Sequence, residues 1–164
     1  MKYLVLSDIH GNRNYLNRVL AQVPDIKNII FLGDGLSEML DVKRQNPEYN
    51  ITAVTGNCDF LKDVPSQEIL NINGYRVLVC HGDGYYVKMG LLPIKKACRE
   101  LKADVALFGH THRPYYEYDN GLYLFNPGSV TISPATLTTC YGIVDFSGNR
   151  PVFEHREIDV LKRD

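Results

Sequence analysis

The chain has 164 residues, a usual length for one domain and enough to bury an apolar core without disulfide or metal staples. Its 18 Lys and Arg residues balance 19 Asp and Glu residues, so a net charge of -1 gives no general attraction to nucleic acid or to an anionic membrane. Four scattered cysteines without a CxxC pair argue against a structural zinc cluster or a disulfide framework. The sequence also lacks a signal peptide and any stretch of roughly 18 apolar residues, so we expect one cytoplasmic domain over residues 1–164.

Repeated pairs of an apolar strand and an amphipathic helix fill the first third of the chain. Each strand is a short continuous apolar run, and each helix has apolar residues at helical spacing. Asn12 is suited to cap the first helix, because its short side chain can accept a hydrogen bond from a first-turn amide. This alternation is typical of parallel sheets with helices on their faces. Strands are predicted at 3–6, 29–32 and 51–55, and helices at 15–23 and 36–42.

Antiparallel strands and one further helix are predicted in the remainder of the chain. Asn73-Gly74 separates two strand-like runs and is a strong hairpin signal, since both turn positions need positive φ. Turns at Asn120-Gly121 and Gly148-Asn149 predict more antiparallel strands, after a buried strand at 105–108. A further helix is predicted with Pro93 near its start. It is indicated by apolar residues at helical spacing, namely Val87, Leu91, Ile94, Cys98 and Leu101. The whole predicts two sheets faced by helices.

Polar side chains that bind metals follow five of the predicted strands. They are Asp8, His10, Asp34, Asn57, His81, His110 and His112. Because the loops beyond the carboxyl ends of parallel strands share one edge, we expect these side chains to converge on one crevice. In an extended segment Asp8 and His10 would point the same way, with Ile9 turned toward the interior. Each cluster has an adjacent glycine that permits positive φ or a close backbone approach, namely Gly11, Gly33, Gly56, Gly82 and Gly109.

This combination of carboxylate and amide oxygens with imidazoles points to catalytic metal ions. Such mixed ligands suit Mn, Fe, Co, Ni or Zn. Two divalent ions and two carboxylates leave the site positively charged, which favours an anionic phosphoester as substrate. Paired ions can lower the pKa of a bridging water and hold the phosphate oxygens, so the expected nucleophile is a metal-bridging hydroxide.

Read together, these motifs resemble the calcineurin-like metallophosphoesterases, and more narrowly their small bacterial and archaeal phosphodiesterase branch. The motifs are Asp8-Ile9-His10, Gly33-Asp34, Gly56-Asn57-Cys58-Asp59, His81-Gly82, Gly109-His110-Thr111-His112 and the turn Asn126-Pro127-Gly128-Ser129. The resemblance covers nearly the whole chain. It implies an α/β fold, a four-layer α/β/β/α sandwich of two mixed sheets flanked by helices. It also implies two ions that share Asp34, one held by Asp8, His10, Asp34 and His112 and the other by Asp34, Asn57, His81 and His110.

Two positions depart from the pattern of the family. Most of the wider superfamily has a histidine after the asparagine, thought to protonate the leaving group, where this chain has Cys58. Members of the narrower branch often have a second histidine where Asp83 stands, and no role is assigned to Asp83. The candidate catalytic residues are Asn57, His81 and Cys58, although packing beside the site explains Cys58 equally well.

Several other residues near the motifs have an ordinary structural interpretation. Arg13, Lys88 and Arg113 either contact phosphate or are simply solvated, and the residues that bind the substrate are left open. His155 is interpreted as a surface histidine. The many tyrosines fit half-buried strand positions, a substrate cleft or a subunit contact, which leaves a homo-oligomer open.

The leading hypothesis is a metal-dependent phosphodiesterase with a small phosphoester substrate and two divalent ions. Manganese is favoured, with Ni, Co, Fe or Zn as alternatives. One alternative is a phosphomonoesterase of the same mechanism. Another is a non-catalytic protein-binding scaffold, since one retromer subunit has this fold and serves mainly in protein contacts. The complete set of seven ligands favours an enzyme, and the absence of a basic stripe makes a nuclease the weakest interpretation.

Overall fold

The computed structural model describes residues 1–61, 63–132 and 137–159. Within these residues, ten strands form two five-stranded sheets. The strands are β1 Lys2–Leu6, β2 Asn28–Phe31, β3 Asn50–Ala53, β4 Gln67–Ile72, β5 Tyr75–Cys80, β6 Val105–Leu107, β7 Pro114–Asp119, β8 Leu122–Pro127, β9 Cys140–Asp145 and β10 Val152–Glu157. The helices are α1 Arg13–Gln22, α2 Leu36–Gln45 and α3 Leu92–Leu101, with a short 3₁₀ helix at Asp83–Tyr85. None of the described helices is long and apolar enough to cross a membrane.

Alternation along the strands divides the apolar side chains between an inner core and two outer ones. In β1, Val5 faces the core between the two sheets, while Leu4 and Leu6 face the helices α1 and α2. Ile94 of α3 packs on the outer face of the second sheet. The order of layers is therefore helix, sheet, sheet, helix, which confirms the four-layer sandwich expected from the sequence.

Parallel pairing brings the functional loops to one edge of the sandwich. The first sheet has the strand order β10-β9-β1-β2-β3, and the second has the order β4-β5-β6-β8-β7. Strands β1, β2 and β3 are parallel, as are β5, β6 and β8, whereas the outer pairings are antiparallel. Nδ1 of His81, which follows β5, lies 2.8 Å from the carbonyl oxygen of Leu32, which follows β2. The carboxyl ends of the parallel strands of both sheets therefore meet.

Local sequence signals predicted most of these elements. Asn73 and Gly74 have φ of 48° and 85° in the turn between β4 and β5, as expected for this hairpin. Oδ1 of Asn12 accepts a hydrogen bond from the backbone N–H of Tyr15 at 3.2 Å, which confirms the N-cap. The helix start expected near Pro93 is confirmed, because α3 begins at Leu92. Val87, which shares the apolar spacing, lies before that start and packs against Gly82.

Candidate metal centre

All seven sequence-predicted ligands lie together at the edge where the parallel strands end. Their positions follow β1 (Asp8 and His10), β2 (Asp34), β3 (Asn57), β5 (His81) and β6 (His110 and His112). We call this group of seven side chains the candidate metal centre. Asp8, Asp34 and His81 are buried, whereas His10 and Asn57 are exposed. The carboxylates therefore form the floor of the site, and imidazole and amide groups form its solvent-facing rim.

One half of the centre is built around the carboxylate of Asp8. Its Oδ1 lies 3.1 Å from Nε2 of His112 and 3.6 Å from Nε2 of His10. The two imidazole nitrogens are themselves 3.3 Å apart. Oδ2 of Asp34 lies 3.8 Å from Nε2 of His10, so the second carboxylate borders the same space.

The other half is built around His81. Nδ1 of His81 faces the carbonyl oxygen of Leu32, which only accepts hydrogen bonds, so Nδ1 carries the proton and the neutral ring has a lone pair on Nε2. Around Nε2 lie Oδ1 of Asn57 at 3.1 Å, Nδ1 of His110 at 3.1 Å and Oδ2 of Asp34 at 3.4 Å. A proton on Nε2 can serve only one of the two oxygens, whereas a cation between these atoms can bind the lone pairs of both oxygens and both imidazoles.

The buried carboxylate of Asp8 provides a direct test of whether a cation fits. Its Oδ1 is buried and accepts no hydrogen bond within the part of the chain that the structure describes. A buried carboxylate oxygen without a partner is strongly unfavourable. The nitrogen and oxygen atoms that surround it are ligands that divalent transition metals prefer. The residues therefore fit divalent metal ions.

Both carboxylates are ionised at neutral pH. Burial would raise the pKa of the Asp8 carboxyl, but the neighbouring imidazoles of His10 and His112 outweigh burial and hold that pKa well below its usual range. Burial also opposes ionisation of Asp34, yet the neighbouring His81 lowers the pKa of Asp34. The pKa of His81 is raised in turn, because the attraction of the two carboxylates exceeds the effect of burial. Two negative charges thus face the space between the imidazoles.

The backbone at five of the seven ligands has the left-handed conformation. These residues are Asp8, His10, Asp34, His110 and His112, with φ of 58°, 46°, 63°, 66° and 60°. The expectation of an extended segment around Asp8 and His10 is therefore wrong. The loop curls because the N–H groups of Ile9 and His10 both donate to the carbonyl oxygen of Asp34, at 2.8 and 3.1 Å. Ile9 is nevertheless fully buried against the helices, as predicted.

The adjacent glycines serve two different purposes. Gly11, Gly33 and Gly82 have positive φ, as the sequence suggested. Gly56 and Gly109 do not have positive φ but lack space for a side chain. A Cβ atom on Gly56 would overlap the carboxylate of Asp34, and one on Gly109 would overlap the hydroxyl of Ser7.

Cys58 lies at the rim of the centre as a protonated thiol. Its backbone N–H donates to Oδ1 of Asp34 at 2.8 Å. Partial burial and then the Asp34 carboxylate raise the pKa of the thiol, so its proton stays on at neutral pH. The predicted ligand set contains no sulfur. The structure nevertheless places Sγ of Cys58 close to the site, because the donor atoms of His10, Asp34 and Cys58 lie within 4.8 Å of one another.

The other polar residues considered near the motifs lie outside the candidate metal centre. The guanidinium of Arg13 pairs with Asp41, and Asp83 starts the 3₁₀ helix after His81. Lys88 and Arg113 border a cleft beside the centre. His155 is exposed, as expected, although its Nε2 bonds to the carbonyl oxygen of Asn126 at 2.7 Å.

Sequence reasoning missed the carboxylate that holds two of the ligand loops together. Oδ2 of Asp59 accepts the N–H groups of Asp34 and Gly56, at 2.8 and 2.9 Å. Oδ1 accepts those of Gly35 and Leu36, at 3.0 and 2.9 Å. The sequence signal was its place at the end of the motif Gly56-Asn57-Cys58-Asp59, because only the contact with Gly56 is local and the other three partners lie 23 to 25 residues away.

The Asn126-Pro127-Gly128-Ser129 turn, at the end of β8, also positions ligands. Nδ2 of the buried Asn126 donates to the carbonyl oxygen of Gly109 at 2.8 Å and to Oγ1 of Thr111 at 3.1 Å. The hydroxyl of Ser129 donates to the carbonyl oxygen of Asp8 at 3.1 Å. This turn therefore fixes two of the three loops that carry histidine ligands, the one after β1 and the one after β6.

Comparison with known proteins identifies the family of the chain. The model of the calcineurin-like phosphoesterase superfamily domain matches residues 1–149. The chain is 31% identical over 146 residues to the probable metallophosphoesterase YsnB of Bacillus subtilis, covering 88% of this chain and 83% of that protein. It is 29% identical over 169 residues to the phosphodiesterase YfcE of Escherichia coli, covering 88% of each.

The fold is shared with solved structures at lower sequence identity. Wild-type Vps29 of Entamoeba histolytica, complexed with Zn²⁺, matches with a TM-score of 0.76 at 20% identity, over 97% of this chain and 100% of that chain. This likeness concerns the fold alone. The family is established by the sequence matches, and the chain therefore belongs to the calcineurin-like phosphoesterase superfamily.

Proposed function

We propose that this single-domain protein is a phosphodiesterase that uses two divalent metal ions. The proposal is carried by one observation: imidazole nitrogens and an amide oxygen, all able to bind a metal, surround the two buried carboxylates. Oδ1 of Asp8 accepts no hydrogen bond and is bordered by imidazole nitrogens, and Nε2 of His81 is surrounded by oxygen and nitrogen atoms, so both positions suit a cation. Manganese is the proposed metal, with Ni, Co, Fe or Zn as alternatives, because mixed imidazole and carboxylate ligands suit these ions.

The two halves of the centre supply a set of ligands for each ion. Asp8, His10 and His112 would hold one ion, and Asn57, His81 and His110 the other, with Asp34 between them. Divalent ions bound there would neutralise the phosphoryl oxygens and provide an activated water as nucleophile at neutral pH.

The protein's own residues orient the site before a substrate arrives. The contact between Nδ1 of His81 and Leu32 keeps Nε2 directed into the centre, a recurring arrangement for metal-binding histidines. Nδ2 of Asn57 donates to Sγ of Cys58 at 3.3 Å, which keeps the amide oxygen turned toward His81. Cys58 retains its proton and is exposed at the rim, where it is a weak donor available to a departing alkoxide.

The test is hydrolysis by metal-free protein that is reloaded with one metal at a time. We expect no turnover of bis(p-nitrophenyl) phosphate after chelation, and recovery with Mn²⁺, Ni²⁺ or Co²⁺ above that with Mg²⁺. Asp34→Asn should lose most of the activity and at least one bound ion by elemental analysis, because this carboxylate borders both halves. The exposed Asp25→Asn is the matched control and should behave like the wild type.

Three outcomes would count against the proposal. Turnover by chelated protein would remove the role of metal, and full activity of Asp34→Asn with two bound ions would refute the ligand assignment. Faster turnover of p-nitrophenyl phosphate than of the diester would favour a phosphomonoesterase instead. Metal-loaded protein that hydrolyses neither ester would favour a binding scaffold.

A further inference from the structure

A cleft of about 430 Å³ opens beside the candidate metal centre. We call it the side cleft. Its walls are apolar, formed by Val87, Leu91, Phe108 and Tyr115, and its charged rim is formed by Lys88 and Arg113. Its volume falls in the range of small-molecule sites, which usually combine an apolar lining with a few polar groups.

The side cleft is continuous with the candidate metal centre. Thr111 lines the cleft and lies between the two ligands His110 and His112. A phosphoester whose phosphoryl group lies among the ligands therefore has an adjacent space for its organic group.

The apolar walls are held in place before any ligand binds. Phe108 and Val87 are nearly fully buried, at 1% and 5% exposure. The backbone N–H of Val87 donates to the carbonyl oxygen of Gly82 at 3.3 Å, and its side chain packs over that glycine. The rings of Phe108 and Tyr115 lie 6.4 Å apart between centroids, tilted by 57°. Part of the cleft wall is therefore aromatic, and a ring packed against it would gain favourable tilted or offset contacts.

The charges at the cleft are positive and available. Within the described ranges, no hydrogen bond or ion pair of the Lys88 or Arg113 side chain is present. The carboxylate of Glu117, which contacts the wall residue Tyr115, is already engaged, because Nζ of Lys95 binds it at 2.8 Å and the hydroxyl of Tyr115 donates to it at 2.9 Å. An anionic group in the side cleft thus meets two cations.

We propose that the side cleft binds the organic group of the phosphoester and that this group is an aromatic ring bearing a second negative charge. The proposal rests on the proposed function only in that the phosphoryl group occupies the candidate metal centre. It identifies Lys88 and Arg113 as specificity-determining residues for the anionic group and the apolar walls as the ring-binding surface.

Binding of non-hydrolysable phosphonates tests the cleft independently of catalysis. Methylphosphonate, benzylphosphonate and 4-carboxybenzylphosphonate share a phosphonate head and differ in the ring and the second charge. Calorimetric titration of the Mn²⁺-loaded protein should give a Kd about tenfold lower for the benzyl than for the methyl compound, from ring burial. The carboxyl group should lower Kd by a further factor of about three to ten, as an exposed or half-exposed ion pair does.

Substitutions at the rim separate the second charge from the phosphonate head. Lys88→Gln and Arg113→Gln should reduce the ratio of the benzyl to the carboxybenzyl Kd toward one. Lys96→Gln is the matched control, because Lys96 is exposed on α3 and outside the cleft, and all three Kd values should be unchanged.

Equal affinity for the three phosphonates would overturn the proposal, as would a gain from the ring without a gain from the carboxyl group. An equal loss for methyl and carboxybenzyl compounds in Arg113→Gln would mean that Arg113 contacts the phosphoryl group, which also overturns it. Hydrolysis of methyl p-nitrophenyl phosphate is measured in parallel. If the protein does not hydrolyse this ester but binds the three phosphonates with the expected order of affinities, the proposed function is rejected and the proposed role of the side cleft is retained.

Discussion

Replacing Asp59 by asparagine changes one carboxylate oxygen into an NH₂ group and leaves the volume of the side chain nearly unchanged. In the wild type each oxygen accepts two backbone N–H groups. In Asp59→Asn the oxygen can still serve one pair of donors, but the NH₂ group faces the other pair and accepts nothing. Two charge-assisted hydrogen bonds are lost, and the remaining two become neutral.

The expected loss of stability follows from these contacts. A hydrogen bond to a charged group contributes roughly 1.5–3 kcal/mol, and since Asp59 is half-buried we take the lower end for each of the two lost bonds. The free energy of unfolding should therefore fall by about 3 kcal/mol, which for a chain of this size lowers Tm by roughly 6–12 °C. Far-UV circular dichroism during urea unfolding measures this change, since the chain has no tryptophan.

The control is Asp63→Asn, which makes the same chemical change at an exposed position nearby. Added Mn²⁺ should also stabilise Asp59→Asn less than the wild type, because the loop that carries Asp34 is no longer fixed. An unfolding free energy of Asp59→Asn within about 0.5 kcal/mol of the control, the usual range for surface substitutions, would refute the assigned role of the carboxylate.

Further predictions concern the thiol, one glycine and one histidine. Cys58→Ala should barely change turnover of activated aryl diesters, whereas Cys58→His should selectively raise turnover of alkyl esters, since a positioned general acid contributes about a hundredfold or more. A leaving-group series at matched metal occupancy checks this, and a collapse of the aryl rate in Cys58→Ala would contradict it. Gly109→Ala should lower the free energy of unfolding by about 1–3 kcal/mol because the added Cβ overlaps Ser7, whereas Gly84→Ala, with open space around its Cβ, should not. Equal urea-unfolding midpoints for the two variants would contradict this. His155→Ala should leave kcat unchanged while lowering stability by about 1 kcal/mol, because it removes the bond to Asn126; a change in kcat would place His155 in the catalytic machinery.

The elements and the convergence of the ligands followed from local sequence rules. Continuous apolar runs predicted buried parallel strands, and the Asn73-Gly74 pair predicted the hairpin, because both signals depend on neighbours in sequence. Ligands after successive strands had to meet, since parallel strands end at one edge.

Contacts between distant segments were not predictable in this way. The left-handed backbone at Asp8 and His10 opposes the local preference of these residues and is imposed by hydrogen bonds to Asp34. Val87 fits the apolar spacing of a helix, yet packing over Gly82 places it in a cleft wall. Asp59 was not identified, because three of its four N–H partners come from another loop.

The left-handed ligands have a consequence for how such a site persists in evolution. A non-glycine residue in this conformation costs about 1 kcal/mol or more, and five ligands share it, in a domain whose net stability is only about 5–15 kcal/mol. Replacement of such a residue by glycine or asparagine relieves that cost while removing a ligand. In a lineage released from catalysis, selection for stability alone would therefore erode the ligands one by one. Their retention requires a metal that restores the lost stability or a reaction that keeps them under selection.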